Sequence, residues 1–186
     1  MARTESNMLP LGTLAPNFSL LDTVTDKRRT LEDIRGKNGT VIMFICNHCP
    51  FVKHVNPQIA LLAKDYLLKG IGFVAISSND VLNYPQDAPH LMKENAILEN
   101  YSFPYLYDIT QEVAKAYEAA CTPDFYLFDA ALRLVYRGQL DDSRPGNGLP
   151  VTGADLRMAL DFLLAGKSLP KNQKPSIGCN IKWKDH

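Results

Sequence analysis

The fold is decided by one stretch of the chain, Thr40-Val41-Ile42-Met43-Phe44-Ile45-Cys46-Asn47-His48-Cys49-Pro50. Its apolar first half has the continuous hydrophobicity of a strand that is buried on both faces. Helical spacing follows, so the sequence predicts a strand over 40–46 and then a helix from 47 to about 69. The two cysteines are therefore expected at a strand-to-helix junction.

Two cysteines at the start of a helix are suited to redox chemistry, because the thiolate is the reactive form of cysteine. A thiol with an ordinary pKa of ~8.5 is only about 3% ionised at pH 7. Lowering that pKa by ~2 units requires roughly 2.7 kcal/mol, of which a helix N-terminus supplies ~0.3–1 kcal/mol. We therefore expect protonated His48 to add to this stabilisation and the pKa of Cys46 to be lowered. Cys46 is predicted to attack a substrate disulfide, and Cys49 to resolve the mixed disulfide.

Length, composition and charge limit the classes of function. The 186 residues fit one domain with a substantial core, and 46% of them are hydrophobic. Acidic and basic residues balance at 20 each, which favours neither nucleic acid nor a membrane surface as a partner. No apolar stretch approaches the roughly 18 residues of a transmembrane helix, and the start lacks the apolar region of a secretory signal. We therefore expect a cytoplasmic protein whose cysteines are redox-active rather than structural.

The remaining pattern predicts a mixed sheet with helices on both sides, because strands and helices alternate before a final hairpin and helix. Strands are predicted at 17–21, 27–31, 73–77, 105–107, 124–128 and 133–138, and further helices at 87–100, 108–120 and 152–166. Pro57 is expected to kink or split the helix that follows Cys49. In the tail, Cys179, Ile181 and Trp183 alternate with polar residues, which predicts a strand that presses these side chains onto the body.

Further marks of the sequence accompany the cysteine pair. They are Gly12-Thr13-Leu14-Ala15-Pro16-Asn17-Phe18-Ser19-Leu20, the segment 108–117, Thr122-Pro123 before a strand, and the ending Ile177-Gly178-Cys179-Asn180-Ile181-Lys182-Trp183. With them, about residues 10–165 resemble the thioredoxin-like superfamily, and most of all its redoxin branch of alkyl hydroperoxide reductase and thiol-specific antioxidant proteins. The Cys-Asn-His-Cys-Pro motif is most similar to that of an uncharacterised peroxiredoxin-like group.

The resemblance implies an α/β thioredoxin-like fold. We expect a central mixed sheet flanked by helices, with an N-terminal β-hairpin and a C-terminal tail strand. A single domain is expected over residues 1–186, with a core of about 10–165 and a tail at 166–186 that packs on the body. The resemblance also implies that the Thr122–Pro123 bond is cis and that this loop faces the cysteine pair and binds the substrate chain. His48 matches a position at which disulfide isomerases have a histidine that stabilises the thiolate.

The sequence departs from its relatives at positions that bear on mechanism. Thr40 stands where thioredoxin has a buried aspartate that assists proton transfer, so the general base is unassigned. Met43 stands three residues before Cys46, where a peroxiredoxin has threonine, and no proline lies seven residues before either cysteine of the motif. No arginine lies between residues 118 and 128, where such proteins often hold the peroxide. These departures disfavour a peroxidase.

The leading hypothesis is a thiol-disulfide oxidoreductase. Its catalytic residues would be Cys46, His48 and Cys49, and Thr122 and Pro123 would bind the substrate. The expected partners are a protein or small-molecule disulfide and an electron-donor thiol system, with the chain as a monomer or a homodimer. We expect neither a cofactor nor a resident metal.

Several alternatives stay open at the level of sequence. Cys121 and Cys179 are possible accessory thiols, or buried residues that fill space. The protein could instead be a thiol peroxidase that uses Cys46 or Cys49. It could also be a module in which thiolates and His48 bind copper(I) or zinc.

Overall fold

The computed structural model describes residues 3–185 of the chain. The strands in this part are β1 (Arg3–Glu5), β2 (Ser19–Asp22), β3 (Lys27–Thr30), β4 (Gly39–Phe44), β5 (Ile71–Ser77), β6 (Tyr105–Tyr107), β7 (Cys121–Thr122), β8 (Asp124–Phe128), β9 (Leu134–Gly138) and β10 (Ile177–Asn180). The helices are α1 (Leu31–Ile34), α2 (Pro50–Leu67), α3 (Pro89–Leu98), α4 (Glu112–Ala116) and α5 (Ala154–Leu164), and a 3-10 turn covers Pro85–Asp87. None of these helices is long and apolar enough to cross a membrane.

Seven of the strands form a central mixed sheet in the order β3-β2-β6-β5-β4-β8-β9. At its centre β4, β5 and β6 run parallel, and α2 and α3 are the crossover helices that this arrangement requires. On one side β8 and β9 continue the sheet in antiparallel fashion. On the other side β2 pairs antiparallel with β6 and forms a hairpin with β3. The predicted mixed sheet and N-terminal hairpin are both confirmed.

The sheet buries both of its faces, because side chains of β4 alternate between two cores. Val41 and Met43 pack with α2, α3 and α5 on one face, whereas Ile42 and Phe44 pack with α1 and α4 on the other. All residues of β4 are buried, as the continuous apolar run predicts. Helices thus flank the sheet on both sides, and the predicted α/β class is confirmed.

The helix after β4 begins later than predicted, at Pro50 rather than at residue 47. Proline suits the first helical position, because the N–H that it lacks would have no acceptor within the helix. Cys49 thereby becomes the N-cap residue, and Cys46 lies in the loop before the helix. Pro57 does not split α2, which continues through it as one helix.

A shorter helix than predicted follows β6. Gln111 has a left-handed backbone with φ of 65°, so α4 begins only at the next residue and ends at Ala116 instead of about residue 120. Asp108 still caps this helix, because its Oδ2 accepts a hydrogen bond from the N–H of Ala114 at 2.9 Å. The helix predicted over 108–120 is therefore present, but it is shorter at both ends.

A second, three-stranded sheet holds the C-terminal tail in the order β1-β10-β7. Cys179 of β10 lies opposite Arg3 of β1 and Thr122 of β7. The predicted tail strand is confirmed, and Cys179 is buried. The prediction for Trp183 is wrong: its side chain is 41% exposed and lies three residues beyond the end of β10, whereas Ile181, one residue beyond that end, is still buried.

Gly178 allows β10 to lie directly against β7. A β-carbon at this residue would lie 1.9 Å from the carbonyl oxygen of Thr122. Atoms that are not bonded to each other cannot approach so closely, and the obstacle is backbone rather than a flexible side chain. A larger residue would therefore have to displace the strand that carries Cys179.

We expect Gly178→Ala to move β10 away from β7, to lower the free energy of unfolding by about 1–3 kcal/mol, as overpacking does, and to make Cys179 reactive toward a thiol reagent. Denaturation and alkylation followed by peptide mapping measure the two effects. Gly146→Ala is the control, because Gly146 has a φ of +83° but no atom within 4 Å of a new β-carbon. It should cost stability without exposing Cys179. Equal protection of Cys179 in both variants would contradict the packing argument.

Candidate active site

The two cysteines of the motif lie beside each other below the protein surface. Cys46 follows β4 in the loop, and Cys49 caps α2. Both are buried, with only 1% and 0% of their respective surfaces exposed, and both sulfur atoms lie against Thr122. The sequence predicted their proximity at the junction, but it wrongly expected Cys46 at an exposed helix start.

Thr122 lies against both sulfur atoms. Its hydroxyl oxygen is 3.5 Å from Sγ of Cys46, and its carbonyl oxygen is 3.3 Å from Sγ of Cys49, from which it accepts a hydrogen bond when Cys49 is protonated. The Thr122–Pro123 bond is cis, and its loop faces the cysteine pair, as the resemblance implied. That Thr122 and Pro123 bind a substrate chain stays a prediction.

A third sulfur reaches the pair from the tail. Sγ of Cys49 lies 2.7 Å from Sγ of Cys179, a distance beyond the ~2.05 Å of a disulfide bond. Cys49 is thus in contact with a sulfur on either side. Cys121 is different, because its buried Sγ faces the carbonyl oxygen of Pro123 at 3.8 Å and burial raises its pKa.

The acidity of the pair is the reverse of the predicted one. The pKa of Cys49 is lowered to about 5, chiefly by a hydrogen bond from the Cys46 thiol and further by contact with Cys179, although burial opposes this shift. The pKa of Cys46 is raised well above its ordinary value by the same hydrogen bond, by burial and by the charge of Asp87. The predicted low pKa of Cys46 is therefore wrong. Because α2 starts at Pro50, the helix N-terminus lies at Cys49.

His48 is held by a buried carboxylate. Its Nδ1 lies 2.6 Å from Oδ2 of Asp87, and its ring stacks on that of Tyr84 with centroids 5.5 Å apart. Its Nε2 is buried and has no hydrogen-bond partner among residues 3–185. Within the same residues, no hydrogen bond joins His48 to either cysteine of the pair, so its effect on a thiolate stays a prediction.

Asp87 holds the loop that carries the motif. Its carboxylate accepts hydrogen bonds from the backbone N–H groups of Asn47 at 2.8 Å and His48 at 3.2 Å, and from the side chain of Asn79 at 2.7 Å. Burial raises the pKa of Asp87, but the bonds from His48 and Asn79 outweigh it and leave the pKa below its ordinary value. The loop geometry therefore depends on a buried negative charge.

The sequence analysis missed Asp87 and placed residue 87 at the start of a helix. One signal could have found it: β4 and β5 are adjacent parallel strands, so the loops after them meet at one edge of the sheet. Cys46 follows the first of these strands, and Asp87 lies in the loop after the second.

A second buried acid follows the cis bond. Asp124 accepts hydrogen bonds from the hydroxyl of Ser6 at 2.7 Å and from the hydroxyl of Tyr126 at 3.0 Å. Its side chain is fully buried, and this burial raises its pKa to about 7 despite both bonds. The sequence analysis did not identify this buried carboxyl group beside Pro123.

Three side chains could together hold a metal ion. One ligand atom each from Cys46, His48 and Asp87 lies within 4.8 Å of the other two. A thiolate, an imidazole and a carboxylate suit zinc. In this structure, however, His48 already bonds to Asp87, and the Cys46 thiol already bonds to Cys49.

An open groove of about 860 Å³ leads to the motif loop. Asn47 and His48 line one part of it, and apolar side chains of the α3 region, among them Leu91 and Ile97, line another. Cys46 immediately precedes these two motif residues in the chain, but it is buried and does not itself line the groove.

The sheet, the helix capped by the second cysteine and the cis-proline loop define a thioredoxin-like protein. The family model described as Redoxin matches residues 10–156, and the chain belongs to the redoxin family. No match is found among curated proteins.

Three solved structures are similar to this chain to different degrees. An uncharacterized conserved protein from Geobacillus kaustophilus is 61% identical, with a TM-score of 0.98 over 100% of this chain and 98% of the other. A hypothetical protein from Sinorhizobium meliloti 1021 is 48% identical, with a TM-score of 0.96 over 98% and 100%. The thioredoxin domain of a thiol-disulfide oxidoreductase from Bacteroides vulgatus is 17% identical, with a TM-score of 0.59 over 73% and 90%, and this likeness shows the fold alone.

We expect the reduced protein to contain one thiolate that forms near pH 5, because the pKa of Cys49 is about 5. Ultraviolet absorbance of the thiolate during a pH titration measures it. Cys49→Ser should abolish this transition, whereas Cys46→Ala should shift it to higher pH, because Cys49 then loses its main hydrogen-bond donor. The assignment fails if the transition near pH 5 persists in Cys49→Ser.

Asp124 predicts a pH-dependent stability. Because its folded-state pKa of about 7 exceeds the unfolded value of ~3.9, its stabilising effect is complete below about pH 4 and is lost as the pH rises through 7. The loss is at most about 4 kcal/mol. Asp124→Asn should reduce the fall in unfolding free energy between these limits, as measured by denaturation at each pH. An unchanged fall in Asp124→Asn would contradict the shift.

Proposed function

We propose that this protein is a thiol-disulfide oxidoreductase in which Cys46 and Cys49 form the redox pair. One observation carries the proposal: two buried thiols lie against the same residue at the start of α2, Cys46 at 3.5 Å from the hydroxyl oxygen and Cys49 at 3.3 Å from the carbonyl oxygen of Thr122. A dithiol of this kind reduces a disulfide by two successive thiolate exchanges. Membership of the redoxin family supports thiol chemistry in general.

We assign the first attack to Cys46. This residue adjoins Asn47 and His48, which line the groove, whereas Cys49 has Cys46 on one side and Cys179 on the other. A thiolate of higher pKa is also the stronger nucleophile once it has formed. Cys49, the acidic member of the pair, accepts the proton that Cys46 gives up as it attacks.

The two exchanges balance in protons and electrons. As Cys46 attacks one sulfur of the substrate, its proton passes to Cys49, the substrate S–S bond breaks and one substrate thiolate departs. Cys49 then attacks Sγ of Cys46, the mixed disulfide breaks, and the proton goes to the second substrate sulfur as it leaves. The substrate disulfide has gained two electrons, and the protein holds a Cys46–Cys49 disulfide. An electron-donor thiol system reduces that disulfide by the reverse exchange.

The proposed substrate is a protein or small-molecule disulfide that enters through the groove. Its apolar wall at Leu91 and Ile97 suits a disulfide flanked by apolar groups. In this proposal Thr122 and Pro123 bind the substrate chain, and His48 orients the motif loop through Asp87.

A thiol peroxidase is the second candidate, and the low pKa of Cys49 favours it. A thiolate that is ionised at neutral pH is ready to attack a peroxide. Such a reaction would begin at Cys49 and would leave a sulfenic acid there. The missing threonine and arginine of the peroxiredoxin pattern weigh against it.

Metal binding is the third candidate. It is supported by the proximity of Cys46, His48 and Asp87. It would require the Cys46 thiol to leave Cys49, and the bond between His48 and Asp87 to open. We therefore rank it below the redox function, and zinc retained by reduced protein after dialysis would reverse this order.

We expect Cys46→Ser to abolish turnover of glutathione disulfide with a thiol donor, because the entry sulfur is lost. Cys49→Ser should instead accumulate a mixed disulfide on Cys46, which mass spectrometry of the intact protein and its peptides detects. Cys121→Ser is the matched control, because this cysteine is buried but lies outside the sulfur contacts, and it should retain turnover.

Two results would overturn the assignment. Undiminished disulfide reduction by Cys46→Ser would remove Cys46 as the nucleophile. Peroxide consumption that survives in Cys46→Ser and stops in Cys49→Ser, at a rate above that of a free thiol, would establish the peroxidase instead.

A further inference from the structure

We infer that Cys179 is a third redox thiol. It attacks the Cys46–Cys49 disulfide at Cys49, so that the disulfide bond then joins Cys49 to Cys179 and Cys46 is released. This inference rests on the proposed redox function and adds a step to it. The protein would then have two oxidised forms, a Cys46–Cys49 disulfide and a Cys49–Cys179 disulfide. In the second form, Cys46 is a thiol again.

The first support is the position of the three sulfur atoms. Sγ of Cys179 is 2.7 Å from Sγ of Cys49, and Cys49 also interacts with the Cys46 thiol. Cys49 is therefore the common partner, and a sulfur on either side can form a bond with it. All three residues are buried, so this contact does not arise from a flexible surface side chain.

The second support is independent of the sulfur distance. The backbone of Cys179 pairs with that of Thr122, the residue whose hydroxyl lies beside Cys46 and whose carbonyl accepts from Cys49. Gly178 is the residue that permits this approach, since a β-carbon there would collide with the carbonyl oxygen of Thr122. The tail strand is thus built to bring the third sulfur to the same residue as the first two.

The exchange itself needs no further oxidant. The Cys179 thiolate attacks Sγ of Cys49 in the Cys46–Cys49 disulfide, a bond forms between Cys179 and Cys49, and the bond to Cys46 breaks. Cys46 leaves as a thiolate and receives the proton that Cys179 has lost. One disulfide and one thiol are present before and after the step, so the oxidation state of the protein does not change.

The charge distribution favours this step only after the pair is oxidised. In the reduced protein the pKa of Cys179 is raised to about 12, first by burial and then by the hydrogen bond and charge of Cys49. Oxidation of Cys49 removes its negative charge, so the second of these contributions disappears. The charge of Lys182 favours the Cys179 thiolate throughout. Cys179 therefore becomes a better nucleophile when there is a disulfide for it to attack.

The exchange has a consequence for turnover. A reduced substrate thiol can reverse the reaction by attacking Cys46 while Cys46 is part of a disulfide. Once the disulfide joins Cys49 to Cys179, Cys46 is no longer electrophilic. The step would thus prevent the product from being oxidised again before it leaves.

The test is to oxidise the full-length reduced protein with glutathione disulfide, quench it in acid, alkylate the remaining thiols and map the peptides. We expect the Cys49–Cys179 disulfide together with alkylated Cys46, and the same result in Cys121→Ser. Detection of the Cys46–Cys49 disulfide alone, with Cys179 alkylated, would overturn the inference and leave the proposed function intact.

Two variants separate the inference from the proposed function. In Cys179→Ser we expect the Cys46–Cys49 disulfide to form and stay, with reversal by added glutathione faster than in the unchanged protein. If no Cys46–Cys49 disulfide forms in this variant, the proposed function fails. In Cys46→Ser, formation of the Cys49–Cys179 disulfide should be lost or strongly slowed. Formation at an unchanged rate would show that Cys46 does not feed this disulfide and would overturn the relay.

Discussion

Thr122 is the residue on which three separate parts of the chain converge. Its hydroxyl lies beside the sulfur of Cys46, its carbonyl oxygen lies 3.3 Å from the sulfur of Cys49, and its backbone pairs with the tail strand. The strand that contains it has only two residues, Cys121 and Thr122. Fixing the backbone of this short strand therefore fixes the relative positions of the three sulfurs, and a displacement of β10 from β7 changes the site.

The arrangement of the three sulfurs is accompanied by buried negative charge, which is unfavourable for folding. Asp87 holds the motif loop and is fully buried, and its charge raises the pKa of Cys46. The proton is therefore kept on Cys46 and the thiolate on Cys49, where the helix N-terminus stabilises it. Asp124, which directly follows the cis Thr122–Pro123 pair in the chain, is a second buried carboxyl group. Such groups reduce stability unless they are well paired, so their position around reactive sulfurs reflects function more than folding.

Most of the fold could be predicted from the sequence, because it follows from local hydrophobic patterns. The apolar run in β4, the hairpin of β2 and β3, and the alternation in β10 each extend over a few consecutive residues. The burial of Trp183 was predicted wrongly, because no local feature of the sequence marks the residue at which β10 ends. The start of α2 was also predicted wrongly, because the helical spacing of the sequence extends back beyond Pro50.

The site could be predicted only in part. The cysteine pair, Thr122 and Cys179 were named as candidates by spacing or by the family resemblance, and the structure brings them together, while their chemical roles stay predictions. Asp87 and Asp124 were not, because each becomes important only through contacts with residues distant in the chain. The lowered pKa was assigned to the wrong cysteine for a related reason. It depends on the residue at which α2 begins and on the buried carboxylate of Asp87, and spacing reveals neither of them.

The three-stranded sheet also bears on the order in which the parts of the protein fold. It joins strands from the two ends of the described chain, since Arg3 pairs with Cys179, and its third strand comes from residues 121–122. Pairings across so many residues close large loops and form late during folding. The helix that carries the first two sulfurs packs on the adjacent parallel strands, and these contacts span shorter distances along the chain. A partly folded molecule would thus have a dithiol before it has its third sulfur, and the complete centre would mark the last stage of folding.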